Sequence, residues 1–289
     1  MIVLLYNPLS KNRKSKRVTK RLVDRFKKQN VPFRVKSLLK IKDMENYISK
    51  SAEDITFILL GGDGTINTFI NNTMRIPLTH DIFIKPTGSG NDFLRSLRRY
   101  HPKRQYIMEM QHDDDSRYFV NGSGFGMDGV IAHRVNQSKR KNRFRYLYHT
   151  VRTFFSYKPS PLKVTLDGEP TTFDKAYLIN INNGAYIGGG MKLTPKARLD
   201  ENKLDVLIVH HVSKIVLLFI FLSVYLGFHT IFTRYITYTK ANEVIAESDS
   251  PQTAQCDGET FEGVRRIHIK KTDKKAKFSR LEVNPKYWP

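Results

Sequence analysis

The chain has 289 residues, 40% hydrophobic and 26% charged, which is the composition of a globular protein with one large or two ordinary domains. Its net charge of +22 favours polyanionic partners (nucleic acid, anionic lipid or phosphorylated substrates), and charge alone does not choose among them. The single cysteine, Cys256, excludes an intramolecular disulfide and fits a reducing cytosol. Residues 1–6 are apolar but too short for a signal-peptide core, and no basic residue precedes them, so they predict a first strand.

The first hundred residues alternate between short apolar runs and segments with helical periodicity. Lys and Arg fill most of the segment 12–29, which is either a solvated helix that covers the sheet or one drawn to a membrane surface. The alternation predicts a doubly wound parallel α/β domain over residues 1–102. The predicted strands are 2–6, 33–37, 55–60 and 82–85, and the predicted helices are 12–29, 42–50, 66–72 and a segment after the loop at 86–92.

The chain is organised around a buried strand that runs into a glycine turn. Residues 55–60 (Ile-Thr-Phe-Ile-Leu-Leu) precede Gly-Gly-Asp-Gly-Thr at 61–65, and a helix follows. The glycines allow a sharp turn and a close approach to a ligand, while the helix N-terminus offers N–H groups to a phosphate. Asp63 would repel a phosphate, so we expect it to act through Mg²⁺ or a neighbouring cation. The simpler alternative is a tight turn with a capping aspartate.

A second glycine turn follows the next predicted strand. Residues 86–92 are Pro-Thr-Gly-Ser-Gly-Asn-Asp and lie about one helix and one strand after the first loop. Adjacent parallel strands would bring both loops to the carboxyl edge of one sheet, where ligands bind in open α/β sheets. Two such loops together predict a phosphate-binding site.

Together the two loops resemble the nucleotide site of the diacylglycerol kinase catalytic family, which includes bacterial lipid kinases and sphingosine kinases. Gly-Gly-Asp-Gly-Thr at 61–65 is shared with NAD kinases, whereas Gly-Ser-Gly-Asn-Asp-Phe at 88–93 is specific to the lipid kinases. The resemblance extends over nearly the whole chain. It implies an α/β nucleotide domain followed by a β-sandwich.

The resemblance also implies the contacts that a bound ATP would make. Lys11 and Asn12 stand where the family has Gly and Lys, which leaves open whether Lys11 or Lys14 reaches the nucleotide. The family has Glu in place of Thr68, and we expect this loss to be tolerated. The expected nucleotide contacts are Asn7, Ser37, Gly61, Gly62, Asp63, Gly64, Thr65, Asn67, Gly88 and Ser89.

From about residue 103 the pattern changes to strands. Residues 106–110 and 117–121 flank a polar turn and predict a hairpin, and helical stretches run to about residue 157. The pattern predicts a mostly antiparallel second domain over 103–277, which the resemblance identifies as a β-sandwich. In the family the chain end returns to the first domain, and residues 278–289 are expected to do so here. Further strands are predicted at 162–167, 173–182, 204–210, 251–256 and 264–270.

A glycine-rich motif that ends before Pro195 resembles a family element that precedes a metal loop. In the bacterial members this loop holds a structural Mg²⁺ through one acidic side chain and two backbone carbonyls. Carried over by spacing from Pro195, the side chain is Glu201 and the carbonyls are those of Arg198 and Lys203. The family more often has Asp-Asp-Gly where this chain has Asp-Glu-Asn at 200–202, and the alternative is a polar hairpin turn.

The resemblance assigns a general base as well. Cys-Asp-Gly-Glu at 256–259 matches the family's Asp-Gly-Glu element, whose glutamate, here Glu259, accepts the proton of the lipid hydroxyl. Asp-Gly is also a common hairpin turn, and a second copy at 167–169 is expected to be only a turn. Glu109 aligns with another acidic position of the bacterial enzymes, or is an exposed strand residue. The expected catalytic residues are Glu259, Asp63 and Asp92, with the two aspartates organising Mg²⁺.

The most apolar piece of the chain is residues 215–231. It is about seventeen residues long and is interrupted by polar residues and glycine, whereas a spanning helix needs about twenty residues. We therefore expect a helix that packs on the second domain or dips an apolar face into the bilayer, rather than a transmembrane helix. Leu217 and Phe221 are the positions at which aspartate substitutions would test membrane insertion.

These observations favour an ATP-dependent lipid kinase that phosphorylates the hydroxyl of diacylglycerol or a related membrane lipid, with ATP and Mg²⁺ as cofactors. The alternatives are an NAD kinase-like phosphotransferase, a nucleic-acid-binding protein and a lipid sensor without turnover. No helix-turn-helix, zinc or RNP signature in the sequence favours nucleic acid. We expect a cytoplasmic protein that associates peripherally with the anionic inner face of a membrane. Homodimerisation stays open.

Overall fold

The structure, a computed structural model, describes residues 1–8, 14–88, 90–113, 115–137 and 143–281. The chain divides into two compact units, one of residues 1–105 with the chain end from residue 274, and one of residues 106–273. The first is an α/β unit with a parallel sheet, and the second is built on an antiparallel sheet. The predicted fold class is therefore confirmed.

The first unit is a six-stranded sheet with helices on both faces. Its elements are β1 Ile2–Tyr6, α1 Lys14–Lys28, β2 Phe33–Ser37, a short 3-10 helix Leu38–Lys40, α2 Met44–Ser49, β3 Thr56–Gly61, α3 Asp63–Asn71, β4 Asp81–Pro86, α4 Asp92–Tyr100, β5 Gln105–Tyr106 and, near the end of the chain, β15 Lys275–Arg280. The strand order is β2-β1-β3-β4-β15-β5, and the pairings from β2 through to β15 are parallel.

Burial on both faces explains why the central strands of this sheet are almost continuously apolar. Alternate side chains of β1 and β3 pack against α1 on one face. On the other face, Phe69 of α3 and Phe93 of α4 contact Phe278 of β15 edge-on, with ring centroids 6.5 and 5.4 Å apart. The last strand among the described residues, β15, thus completes the core that holds α3 and α4.

The second unit is a nine-stranded antiparallel sheet with three helices. Its elements are β6 Met108–His112, β7 Asp115–Phe119, β8 Gly122–Gly126, α5 Met127–Gln137, α6 Arg143–Ser156, β9 Ser160–Leu166, β10 Glu169–Asn182, β11 Leu204–His210, α7 Lys214–Val224, a 3-10 helix His229–Ile231, β12 Ile236–Ala241, β13 Glu243–Cys256 and β14 Glu259–Lys270. The order is β12-β11-β10-β8-β13-β14-β6-β7, and β9 pairs with both β10 and β13. Strands β8 and β12 were not predicted.

The two fourteen-residue strands β10 and β13 allow this sheet to close on itself. Each pairs with β9 along its first part and with β8 along its last part, so β9, β10, β8 and β13 form a closed ring. Register shifts near residues 173–178 of β10 and 247–254 of β13 mark where the strands bend and change partner. A core of alternating inward side chains fills the space enclosed by this sheet.

A second core lies on the outer face of the sheet, beneath the helices. Val206 and Ile208 of β11 point into the closed core, while Leu207 and Val209 pack against the helices. Burial on both faces accounts for the four consecutive apolar residues 206–209 of β11. Phe154 of α6 meets Phe221 of α7 at a ring centroid distance of 5.0 Å, which joins the two helices over this face.

The apolar segment 215–231 packs on this second core. Leu217 and Phe221, the two positions chosen from sequence as membrane-facing, are 2% and 6% exposed, so aspartate there would disrupt the core rather than report on a membrane. This choice was wrong because the burial of a helix that is apolar all round cannot be assigned from its pattern. In the described part of the chain, no helix has the length and apolar character needed to cross a bilayer.

The two Asp-Gly-Glu copies form the β9–β10 and β13–β14 turns. Asp167 and Asp257 have left-handed φ angles of 48° and 46°. The Asp257 carboxylate accepts the backbone N–H groups of residues 120–122 at 2.9, 2.9 and 3.1 Å. The Asp167 carboxylate likewise accepts the N–H groups of Asn242 and Glu243 at 2.8 and 2.9 Å. Each aspartate therefore anchors a neighbouring loop as well as forming a turn.

Asp257→Ala should lower the free energy of unfolding by about 3 kcal/mol or more, because three N–H groups lose a charged acceptor and alanine tolerates the left-handed φ poorly. Asp257→Asn should cost less, since it keeps one acceptor oxygen and tolerates the same φ. Urea unfolding of both variants checks this expectation. Equal stability of the two would show that the carboxylate is not the anchor.

Candidate functional site

Four strand ends meet at the carboxyl edge of the parallel sheet. The pairing register places Ser37 of β2 beside Tyr6 of β1, and Tyr6 beside Leu60 of β3. Gly61 of β3 lies beside Pro86 of β4. The segment after β1 and both glycine loops therefore leave the sheet at one edge, which is where open α/β sheets bind ligands.

The two glycine loops touch through their backbones. A Cβ on Gly62 would lie 2.5 Å from the Gly90 carbonyl oxygen, and a Cβ on Gly88 would lie 2.9 Å from the Gly62 Cα. The Asp63 N–H donates a hydrogen bond to the same Gly90 carbonyl at 3.2 Å. Only glycine allows this approach, so the loops lie side by side as the sequence predicted.

The Asp63 carboxylate ties the first loop to the second. Its oxygens accept the backbone N–H groups of Asp92 at 2.8 Å and of Phe93 at 3.2 Å. These N–H groups belong to the first turn of α4, so Asp63 caps a helix that begins 29 residues later in the chain. The sequence left open a capping aspartate, but it did not reveal that the capped helix is that of the other loop.

The N-termini of α3 and α4 differ in what they offer a ligand. At α4 the first N–H groups are capped by Asp63. At α3, a Cβ on Gly64 would stand in open space, with no atom of the described residues within 4 Å apart from its chain neighbours and the helix's own backbone. The Asp63 and Thr65 N–H groups at this end are already bonded to the Gly90 and Gly62 carbonyls, so the open space and the helix dipole are what this terminus offers a phosphate.

Other predicted contacts have different surroundings. Thr65 is 5% exposed and packs beneath Gly61, where a Cβ would stand 2.3 Å from the Thr65 Cβ. Asn67 is also buried, and Asp92 is 4% exposed and ion-paired with Arg95. Their contacts with a nucleotide or Mg²⁺ stay predictions. Outside the described residues lie Ser89, Lys11 and Asn12.

A basic cluster that the sequence analysis missed lies in the first unit. Burial lowers the pKa of the Lys85 ammonium, and Arg280 and Arg25 lower it further. Three cations within electrostatic range repel one another, and an anion bound among them would relieve the repulsion. A lysine placed directly before the Pro86 loop was the available signal in the sequence.

The predicted base, Glu259, is exposed at the start of β14. Its side chain is 53% exposed, and its Oε2 lies 3.8 Å from the Arg117 Nε. Glu109 lies in β6 opposite Tyr118 of β7 and is partly exposed. The catalytic role of Glu259 stays a prediction.

A buried polar network lies behind the turn that carries Glu259. The Asp128 carboxyl accepts hydrogen bonds from Asn180 Nδ2 and Gln255 Nε2, both at 2.8 Å. Burial raises the pKa of Asp128 despite these two donors. Gln255 in turn accepts the Gly258 N–H at 2.9 Å, so the network reaches the residue before Glu259.

Asp128 and Asn180 also line an apolar cavity of about 50 Å³ beneath α5, α6 and α7. The Asn180 Oδ1 is buried and has no hydrogen-bond partner among the described residues. The cavity therefore has apolar walls and one polar end, a combination typical of sites for ligands with an apolar chain and a polar group. The other lining residues are Met127, Ile131, Thr150, Phe154, Leu178, Met191, Leu193, Leu207, Val209, Leu217, Ile220, Phe221, Val224 and His229.

The loop predicted to hold a structural Mg²⁺ places its carboxylate beside a lysine. The Glu201 carboxylate pairs with the Lys240 ammonium, which also lies 3.8 Å from Asp205. The Arg198 carbonyl, an expected metal ligand, accepts the Glu201 N–H at 3.2 Å. Within the described ranges, no group of three or more His, Cys, Asp or Glu side chains is arranged to hold a metal. The expected metal set of Arg198, Glu201 and Lys203 includes only one such side chain, so it stays a prediction, with the Lys240 ammonium beside Glu201 as a competing positive charge.

Two family models match the chain and together cover most of it. The diacylglycerol kinase catalytic domain matches residues 1–116, and the YegS C-terminal NAD kinase beta sandwich-like domain matches residues 122–268. The chain belongs to the diacylglycerol kinase catalytic-domain family, with a C-terminal domain of the YegS type. The predicted family is confirmed.

Curated relatives are similar to parts or most of the chain. A Staphylococcus epidermidis protein named "Putative lipid kinase" is 32% identical over 161 residues, which are 52% of each chain. That match therefore spans about half the length of the relative. Proteins named diacylglycerol kinase from Staphylococcus saprophyticus and Bacillus subtilis are 26% and 23% identical, each over 89% of this chain and 88% of the relative.

Solved structures share the fold. A diacylglycerol kinase from Bacillus anthracis matches with a TM-score of 0.62 and 18% identity, over 96% of both chains. A second crystal structure from the same organism reaches 0.69, also at 18% identity and 96% coverage of both chains. At this identity the likeness establishes the architecture of an α/β unit followed by an antiparallel β unit.

Asp63→Ala should weaken ATP binding and lower stability by about 1–2 kcal/mol, because the first turn of α4 loses its cap and the two loops lose their link. Asp43 offers a matched control: its Oδ1 caps α2 through the Asn46 N–H at 2.9 Å, away from the glycine loops. Asp43→Ala should cost similar stability and leave ATP affinity unchanged. Thermal melting and ATP titration separate the two effects, and a fully stable Asp63→Ala protein would refute the capping role.

Stability should fall as pH rises through about 6 because of Asp205. Burial raises the pKa of this carboxyl to about 6, although the Tyr238 hydroxyl and the Lys240 ammonium favour its charged form. The pKa of this carboxyl in the folded state lies above its value of about 4 in the unfolded state. Its contribution to the free energy of unfolding is therefore complete below about pH 4 and is lost as pH rises through the pKa of the folded state. The two-unit difference corresponds to about 3 kcal/mol at most.

Asp205→Asn should remove this pH dependence in urea unfolding measured between pH 4 and 7. Asp200 is a control in which the pKa shift has the opposite direction, because its hydrogen bond to Arg198 lowers its pKa. Asp200→Asn should remove stability that is present at neutral pH and lost on acidification. A wild-type protein and an Asp205→Asn variant with the same pH profile would contradict the assignment.

Proposed function

We propose that the protein transfers the γ-phosphoryl group of ATP to the hydroxyl of a membrane lipid such as diacylglycerol. The observation that carries the proposal is the pair of touching glycine loops, which leaves one helix N-terminus open at Gly64. The family relationship and the lipid-kinase names of the relatives support the same class of reaction.

The donor side of the proposal rests on the first unit. The triphosphate would lie on the open first turn of α3, with its negative charge shared by the helix dipole and the cluster of Lys85 and Arg280. Mg²⁺ would arrive with the triphosphate and neutralise its oxygens. Because Asp63 is engaged with α4, its contribution is to hold the loops in place.

The acceptor side rests on the second unit. The apolar cavity with Asp128 and Asn180 at its polar end suits part of an acyl chain and its ester or hydroxyl group. A cavity of about 50 Å³ holds only a short segment of chain, so a full acyl chain requires α6 and α7 to separate. The hydrogen-bonded path from Asp128 through Gln255 to Gly258 joins this cavity to the turn that carries Glu259.

In the proposed reaction the lipid hydroxyl oxygen bonds to the γ-phosphorus as the bond to the β–γ bridging oxygen breaks and ADP leaves. The hydroxyl proton passes to the Glu259 carboxylate. The products are ADP and a phosphorylated lipid, such as phosphatidic acid from diacylglycerol.

Transfer of ³²P from [γ-³²P]ATP to mixed micelles of diacylglycerol, ceramide, sphingosine and monoacylglycerol tests the proposal. We expect labelled lipid with at least one of these acceptors and a Glu259→Gln variant that is slower by about 100-fold or more, the usual contribution of a general base. Glu169, in the second Asp-Gly-Glu copy, is the matched control, and Glu169→Gln should keep full activity.

Formation of NADP from NAD, without lipid labelling, would contradict the proposal and favour the NAD kinase alternative. ATP binding without transfer to any acceptor would favour a lipid sensor. Equal loss in the Glu169→Gln and Glu259→Gln variants would show that the effect is structural and that Glu259 is not the base.

A further inference from the structure

An exposed apolar surface, here called the apolar ridge, lies on α7 and the segment after it. Ile215, Phe219 and Leu222 recur at helical spacing and project from one side of α7, while Leu217, Ile220 and Val224 on the other side are buried. Three further members follow the end of the helix. These six large apolar side chains are more than half exposed. They are Ile215 at 72%, Phe219 at 61%, Leu222 at 55%, Leu226 at 66%, Phe228 at 62% and Ile231 at 70%.

The end of α6 adds to this surface. Phe155 is 58% exposed, and its backbone carbonyl accepts a hydrogen bond from the Lys214 ammonium at the start of α7. Its neighbour Phe154 packs under α7 against Phe221. The exposed apolar residues thus lie on α6, on α7 and on the segment after α7, and the two helices are joined by these contacts. Soluble monomers rarely expose so many large apolar side chains in one place unless they bind something.

The charges in the same segments have one sign. Residues 129–166, which include α5 and α6, contain nine Lys and Arg and no Asp or Glu. Residues 206–242, which include the apolar ridge, contain three Lys and Arg and again no carboxylate. Exposed cations in these segments include Arg152, Lys158, Lys214 and Arg234. Exposed apolar side chains in segments that carry cations and no carboxylate of their own match a layer that is apolar inside and anionic at its surface.

We propose that the apolar ridge docks the protein onto an anionic lipid bilayer, with its aliphatic and aromatic side chains in the headgroup–acyl boundary and the surrounding cations on lipid phosphates. A second copy of the chain fits less well, because a two-fold interface would bring these basic segments against themselves. A nucleic acid would satisfy the cations but would leave the apolar side chains in water. The observations that carry the docking surface are separate from those that carry the proposed chemistry.

Sedimentation of the full chain with vesicles of phosphatidylcholine, with and without phosphatidylglycerol, tests this inference in the absence of ATP. We expect binding that requires phosphatidylglycerol and falls at least tenfold in a Phe219→Ser/Leu226→Ser variant. Both positions are exposed, so the melting temperature should not change. Leu39, which is 59% exposed in the first unit, is the matched control, and Leu39→Ser should bind as the wild type does.

A fluorescence measurement locates the contact. Phe219→Trp in a Trp288→Phe background should shift its emission to the blue on addition of phosphatidylglycerol vesicles. Binding of the ridge variant equal to that of the wild type would overturn the inference. Sedimentation without any change in emission would also overturn it, since the protein would then dock through another surface. A ridge variant that loses only self-association would overturn it in favour of a second copy.

The same variants separate this inference from the proposed function. The Phe219→Ser/Leu226→Ser variant should phosphorylate a water-soluble short-chain diacylglycerol at the wild-type rate and lose activity on the bilayer substrate. Vesicle binding by a protein that phosphorylates no lipid would refute the kinase and support the docking surface. Full activity of the variant on vesicles would refute the docking surface and leave the kinase in place.

Discussion

The Asp63 carboxylate, shared between the first glycine loop and the start of α4, is the contact on which the site depends. It accepts two N–H groups of the second loop's helix at 2.8 and 3.2 Å, while Gly62 and Gly88 bring the two backbones together. The two helices differ: the first turn of α4 is capped by this carboxylate, whereas open space lies beside Gly64 in the first turn of α3. Because Asp63 is the first residue of α3 and its carboxylate is bonded to α4, this one side chain fixes the two loops relative to each other.

In the second unit, too, charged side chains hold the loops in place. Asp257 and Asp167 each collect backbone N–H groups from a distant loop, as Asp63 does. At the loop where the family resemblance implied a metal ion, the Lys240 ammonium pairs with Glu201 and lies near Asp205. The Lys240 ammonium lies between the Glu201 and Asp205 carboxylates and does not need the backbone carbonyl oxygens that a divalent cation would require from this turn. The family more often has Asp-Asp-Gly where this chain has Asp-Glu-Asn at 200–202, and the ion pair is consistent with that change.

Local patterns in the sequence predicted the architecture, and contacts between distant residues decided the rest. Glycine spacing at 61–65 and 88–93 places both loops correctly, because strand–turn–helix chemistry is local. Lys240 stands 39 residues from Glu201, and no local pattern reveals that pairing. The helix α7 is apolar on all sides, so periodicity could not tell buried Leu217 from exposed Phe219. The positions of the glycine loops could therefore be predicted from the sequence, whereas the buried and exposed faces of α7 could not.

The distribution of the positive charge bears on the choice among polyanions. Lys85 and Arg280 bring positive charge together in the first unit, where partial burial and the neighbouring arginines lower the pKa of the Lys85 ammonium. In the second unit, exposed cations such as Arg152, Lys158, Lys214 and Arg234 belong to the same carboxylate-free segments of the chain as the exposed apolar side chains of α7. A polynucleotide offers phosphates but no apolar layer to receive Phe219 and Leu226, whereas an anionic bilayer offers both. Electrostatic attraction alone does not distinguish one polyanion from another, and the exposed apolar side chains are the feature on which the proposed docking to lipid rests.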